Sequence, residues 1–142
     1  MRCPRGTVQI HFTEGEAHVF VVEDEYVKDP SATWGWGRGY YYRFRKLLYW
    51  RCSDVRRGKW EHIFVHRQDD GFLFPCDIQK ALDSRIHLLW TGYGGPLGPE
   101  QVLMHTVVEG DEVRHGLVDR NVVGREALPP GREGRMALSL RG

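Results

Sequence analysis

Apolar and polar side chains alternate with a period of two along most of this chain. That pattern fits strands whose faces see different surroundings. In Thr7–Phe12, Val8, Ile10 and Phe12 fall on one side; Glu14-Gly15-Glu16 marks a turn, and Ala17–Val22 returns as a second run. The three segments predict a hairpin. Glu23–Pro30 is acidic without a period, and Thr33–Gly39 carries three glycines beside Trp34 and Trp36, which predicts a loop with aromatic anchors.

The longest run is Tyr40–Arg51. One side carries Tyr40, Tyr42, Phe44, Lys46, Leu48 and Trp50; the other carries Tyr41, Arg43, Arg45, Leu47, Tyr49 and Arg51. Unbroken alternation predicts that the first side is buried and the second is wet. Ser53–Lys59 is a polar turn and Trp60–Arg67 a further strand, so the two runs predict a second hairpin. Asp69-Asp70-Gly71 reads as a hairpin turn before a short strand, Phe72-Leu73-Phe74.

A single segment carries a helical signature: Asp77 as N-cap, Ile78, Ala81 and Leu82 on one side, and Ser84-Arg85 at its end. Ile86–Trp90 returns to strand, Gly92–Pro99 is a second Gly/Pro loop, and Gln101–Val108 with Val113–Asp119 predicts a third hairpin around Glu109–Glu112. Residues 1–5 and 129–142 have little to bury and are expected to be flexible ends, leaving one domain over 6–128. The expected class is α+β, mainly β: a twisted antiparallel sheet or partly open barrel of hairpins with one short helix.

Composition narrows the setting. With 142 residues and seventeen aromatics, the chain has the material for one core and is not disordered as a whole. No apolar run approaches the roughly 20 residues that span a bilayer, and Met1–Arg5 has no signal-type apolar stretch. A cytoplasmic protein without membrane contact is expected, in the host cytoplasm if the source is viral. The net charge of +1 conceals blocks: −5 over residues 13–29, +7 over 30–67 and −6 over 68–119. Sixteen of the twenty basic residues are Arg, the side chain suited to bidentate contact with carboxylate or phosphate.

Motifs for chemistry are absent. There is no Cys-x-x-Cys, no His-Glu-x-x-His and no Gly-x-Ser-x-Gly. His62 and His66, four apart, are separated by about 13 Å along a strand, too far for one ion. Cys52, His62 and Cys76 are the residues from which a site across a hairpin would be assembled, but semi-buried thiols explain the cysteines more simply. Gly35–Gly39 precedes a strand instead of opening a helix, so it makes no phosphate cradle. No catalytic residue, metal or cofactor is expected.

What remains is the aromatic and basic segment. Eight of the seventeen aromatics lie between Trp34 and Trp50, interleaved with arginines. Trp34, Trp36, Arg38, Tyr41, Arg43, Arg45, Tyr49 and Arg51 are the candidate binding residues. Trp, Tyr and Arg anchor protein–protein hot spots, and the same mixture serves single-stranded nucleic acid by stacking and phosphate contact. Acidic blocks on both sides favour a protein partner with an opposing charge pattern; nucleic acid is the second reading and a small Cys/His enzyme the third. The acidic runs can also neutralise the basic strand in cis.

In outline the chain resembles the small bacteriophage proteins that bind and regulate a thermophilic host's RNA polymerase. The likeness lies in length, the Arg-over-Lys bias, a β-rich body from about Gly6 to Leu128, one short helix and disposable ends. No motif carries it, so no residue role is transferred. The resemblance implies a protein that grips the flap region of the core enzyme and the promoter-reading domain of the sigma factor, altering promoter recognition without covalent chemistry.

Overall fold

Eight antiparallel strands in two consecutive meanders make up the computed structural model, which describes residues 8–30 and 40–120. β1 (Val8–Thr13), β2 (Glu16–Lys28), β3 (Tyr40–Cys52) and β4 (Glu61–Arg67) form the first sheet in that order. β5 (Phe72–Lys80), β6 (Ile86–Tyr93), β7 (Val102–Glu109) and β8 (Glu112–Arg120) form the second. The mainly β, antiparallel architecture and the three hairpins agree with the pattern in the sequence. The expected flexible ends, residues 1–5 and 129–142, lie outside the described residues.

The helix expected from Asp77 is absent. β5 runs on through Ile78 to Lys80, and Ala81–Arg85 is a tight turn closed by the Ala81 amide on the Arg85 carbonyl at 2.8 Å. Ile78 packs in the core opposite Leu88, so tertiary burial on a strand outweighs a helical spacing too short to sustain itself. The Asp77 carboxylate, read as a helix cap, accepts the amide of the next residue instead. The one helical turn among the described residues is a 3-10 turn at Gly95–Leu97.

Asp69-Asp70-Gly71 is likewise a corner and not a hairpin, since β4 and β5 belong to different sheets. Buried Gln68 fastens it: its amide nitrogen donates to the carbonyls of Asp70 and Tyr93, both at 2.8 Å, and its Oε1 meets His66 Nε2 at 3.0 Å. Gly71 sits at φ +72°, and a Cβ there would fall 1.9 Å from the Tyr93 carbonyl oxygen. Only glycine permits this close crossing.

The two sheets share one core. Phe20, Val22, Leu47, Tyr49 and Val65 from the first sheet pack on Leu73, Ile78, Ile86, Leu88, Trp90 and Val108 from the second. Around Trp90 the buried polar groups are paired, as burial demands. Trp90 donates its indole N–H to Thr106 Oγ1 at 2.8 Å, and that hydroxyl meets His115 Nδ1 at 2.7 Å. His66 lies against the Trp90 ring at 5.2 Å.

Candidate functional site

One extra residue in β3 decides which side chains the protein presents. Glu23 faces Lys46 across the β2–β3 ladder but Asp24 faces Phe44, so Arg45 is unpaired in a bulge. A bulge reverses alternation on its far side. Phe44 therefore packs on the same core as Leu47 and Tyr49, and rests 6.0 Å from the rings of both Phe72 and Phe74. A second bulge, at Val65 in β4, does the same for His66.

The expected faces of β3 are consequently exchanged over residues 47–51. Leu47 and Tyr49 are core residues, Tyr49 only 1% exposed, whereas Leu48 and Trp50 lie on the outer side of the first sheet, where Leu48 is nonetheless buried as expected and Trp50 is half-buried. Tyr49 was expected on a wet binding face; here its ring packs in the core and its hydroxyl bonds to His18 Nδ1. Arg51 also leaves that face. Its guanidinium ties the first sheet to the β7–β8 turn, contacting Glu61 at 3.0 Å, Asp111 at 3.0 Å and the Gly110 carbonyl at 2.7 Å. Trp34, Trp36 and Arg38, and the side chain of Tyr41, lie outside the described residues.

Arg43 and Arg45 do come together. With Lys46, Arg67, Glu23, Glu25, Asp69, Tyr26 and Gln68 they line a cleft of about 590 Å³. The bulge brings Arg43 to the side of Lys46, since Arg43 pairs with Glu25 and Lys46 with Glu23. The cleft mixes charges, four basic side chains against three acidic ones. Lys46 meets Glu23 at 3.0 Å, and Arg45 Nε reaches the Gly71 carbonyl at 3.4 Å. Part of the basic strand is thus neutralised in cis, at Lys46 and at Arg51.

Next to this cleft, on the same outer face, the first sheet is apolar. The ladders align Ile10, Val19, Trp50 and His62 in one row, and Val8, Val21, Leu48 and Phe64 in the next. The following row is Glu23, Lys46 and Arg67, the rim of the cleft. Ile10 is 66% exposed, Phe12 61% and Phe64 53%. Exposed apolar residues scattered singly are ordinary, but a contiguous patch on one sheet face marks a contact surface. Sequence reading missed Ile10, Phe12 and Phe64 because their alternation looks the same whichever face is inside.

On the opposite, inner face a buried polar chain connects the sheets. His18 Nε2 is 2.9 Å from Glu16 Oε1, off the direction of a good hydrogen bond, and Glu16 Oε2 accepts from Lys80 Nζ at 2.7 Å. Burial lowers the His18 pKa, and the hydrogen bond from Lys80 lowers that of Glu16. Burial raises the pKa of Tyr49. At neutral pH this is a neutral imidazole between a phenol and a carboxylate. With Tyr49 and His18 both closed from solvent, it ties β2, β3 and β5 together.

The cysteines do not converge with His62. Cys52 is buried on β3, while Cys76 is the bulged residue of β5, its thiol 3.8 Å from Thr91 Oγ1 and its pKa raised by burial. No group of three or more His, Cys, Asp or Glu side chains is arranged to hold a metal among the described residues. No helix among them is long and apolar enough to cross a membrane. No family model matches the chain, and no curated protein and no solved structure matches it either.

Proposed function

We propose that this is a non-enzymatic binding protein that docks a protein partner on the outer face of its first sheet. The observation that carries the reading is the continuity of two surfaces: the exposed Ile10, Phe12 and Phe64 patch runs into the Arg43, Arg45, Lys46 and Arg67 cleft. Apolar anchors bordered by arginines are the composition of protein–protein hot spots. The interleaved acids Glu23, Glu25 and Asp69 favour a partner that carries both charge signs. They weigh against a nucleic-acid backbone, whose condensed counterions are released when an uninterrupted basic track neutralises its phosphates. Single-stranded nucleic acid is therefore the weaker reading of the same surface. The resemblance to phage regulators makes RNA polymerase, through its flap region and sigma factor, the first partner to test, with altered promoter recognition as the consequence.

The test is capture from the source cell's lysate, with and without nuclease, followed by binding to purified RNA polymerase core and free sigma factor. The wild type should retain one defined protein complex after nuclease treatment, and Phe12→Ala/Phe64→Ala and Arg43→Ala/Arg45→Ala should each lose it. Nuclease-sensitive capture, or retention by both double variants, overturns the reading.

A further inference from the structure

On the outer face of the second sheet, away from the docking face, two histidines on adjacent strands meet edge to edge. His87 on β6 and His105 on β7 occupy neighbouring rows of the ladder, since His87 pairs with Val107 and Leu89 with His105. Their Nδ1 and Nε2 atoms are 2.9 Å apart. The ring centroids are 5.1 Å apart and the planes differ by 7°. With each ring nitrogen about 1.15 Å from its centroid, those values place the two nitrogens almost on the line joining the centroids. The rings therefore lie nearly coplanar, one nitrogen donating and the other accepting.

Two imidazole nitrogens held this way form half of a coordination shell. A cation bound at about 2.05 Å from each, with cis ligands at 90–110°, needs nitrogens about 2.9–3.4 Å apart. The observed separation is at the near end of that range, and because the nitrogens face each other head-on, each ring must swing by about 35–45° to aim its lone pair at the ion. Both residues are half-buried and reachable from solvent. Opposite His105 on β8 stands Gly116, where even an added Cβ would meet nothing closer than 3.9 Å. That side is open for water or a further ligand.

Nearby cations do not oppose a metal ion. Arg85 is paired to Asp83, and Arg114 to Glu109 at 3.1 Å and Glu112 at 3.5 Å. Burial, and then the neighbouring His87, lowers the His105 pKa.

We propose that His87 and His105 form a two-histidine site for a first-row divalent transition metal, with Cu²⁺ and Ni²⁺ the best fits and the hard ions Mg²⁺ and Ca²⁺ excluded by the nitrogen ligands. Binding needs no redox change and no net loss of protons. The tautomer moves so that His87 keeps its proton on Nε2 and His105 on Nδ1, leaving both facing nitrogens as lone-pair donors. The remaining positions are filled by water, which leaves the ion free to accept an external ligand.

The test is titration of the full chain with Cu²⁺ alone and with Ni²⁺ alone in a non-chelating buffer. Affinity is read by calorimetry, and the in-plane nitrogens of bound Cu²⁺ by electron paramagnetic resonance. One ion per chain with two equivalent nitrogens is expected. His87→Gln and His105→Gln should each weaken binding at least tenfold and remove one nitrogen, whereas His62→Gln should change neither. Circular dichroism confirms that each variant is folded, and imidazole nitrogen shifts in the wild type report the tautomer independently. Equal affinity in wild type and both Gln variants, or a one-nitrogen signal in the wild type, overturns the proposal.

Discussion

The hydroxyl of Tyr49 bonds to Nδ1 of His18 inside the core, between neighbouring strands that lie thirty-one residues apart in sequence. The Glu16 carboxylate can only accept, so the His18 proton belongs on Nε2, and Nδ1 is left to accept from the phenol. Tyr49→Phe should keep the packing of a ring that is 1% exposed and strand a buried imidazole nitrogen. The expected cost is about 1–3 kcal/mol, read as a lower urea midpoint at an unchanged m-value.

The same chain makes stability depend on pH. His18 is depressed first by burial, with Lys80 and His11 adding to the effect and Glu16 opposing it. An unfolded chain takes up that proton near pH 6.5 while the folded one still refuses it, so acid favours unfolding. Burial depresses His105 and His115 with the same sign. Stability should be full above about pH 6.5 and fall as pH drops from there toward the folded pKa values. A second loss should follow below about pH 4.5, where Glu16 is protonated in the unfolded chain first. Urea midpoints measured across pH 4–8 check this, and His18→Gln should flatten the upper limb.

The corner between the sheets depends on two facing glycines, Gly71 and Gly94. Gly15 and Gly110 also have positive φ, +81° and +59°, but a Cβ at either meets nothing within 4 Å. Their alanine variants should cost about 1–2 kcal/mol for the left-handed backbone. Gly71→Ala adds a backbone clash with Tyr93 and should cost at least about 3 kcal/mol or prevent folding. Thermal melts of the three variants side by side give the ranking; equal costs would show that the corner yields.

Much of the hairpin framework was legible in the sequence because period-two runs bounded by turn residues leave few alternatives. What failed was inward against outward. Alternation says which side chains share a face and not which face is covered, and the bulge at Arg45 breaks even the sharing: Phe44 stays in the core with Leu47 while Leu48 and Trp50 turn outward. Nothing in Arg43-Phe44-Arg45-Lys46 announces an extra residue, since the extra position is set by how β2 and β3 pair over their full lengths. The false helix at Asp77 has a related origin. Another bulge, at Cys76, changes the phase of β5, and the resulting mixture of spacings imitates a helical turn.

Thiol chemistry gives another check. Cys52 is 1% exposed, and the Cys76 pKa is raised by burial. A thiol held protonated and covered is a poor nucleophile. In the folded protein both should be alkylated by iodoacetamide at pH 7.5 at least tenfold more slowly than in urea, as read by peptide mass spectrometry. Fast labelling of Cys76 would mean that the β5 bulge opens readily.

The outer apolar face makes the sharpest separation between stability and binding. Ile10 and Phe12 sit on the edge strand β1, 66% and 61% exposed, while Phe20 on β2 is fully buried. Phe20→Ala should cost about 3–5 kcal/mol, the usual loss for a large core ring. Ile10→Ser and Phe12→Ser remove no comparable burial and should each cost under about 1 kcal/mol, the span of strand preference on a host sheet. Affinity for the docked partner should nonetheless fall more than tenfold in the double variant, because anchors of this kind each contribute about 1–2 kcal/mol or more. Urea denaturation measures the first quantity and calorimetric titration with the captured partner the second. If the double serine variant is as unstable as Phe20→Ala, this face is covered within the folded chain itself, and docking must move to the cleft around Arg43 and Arg45.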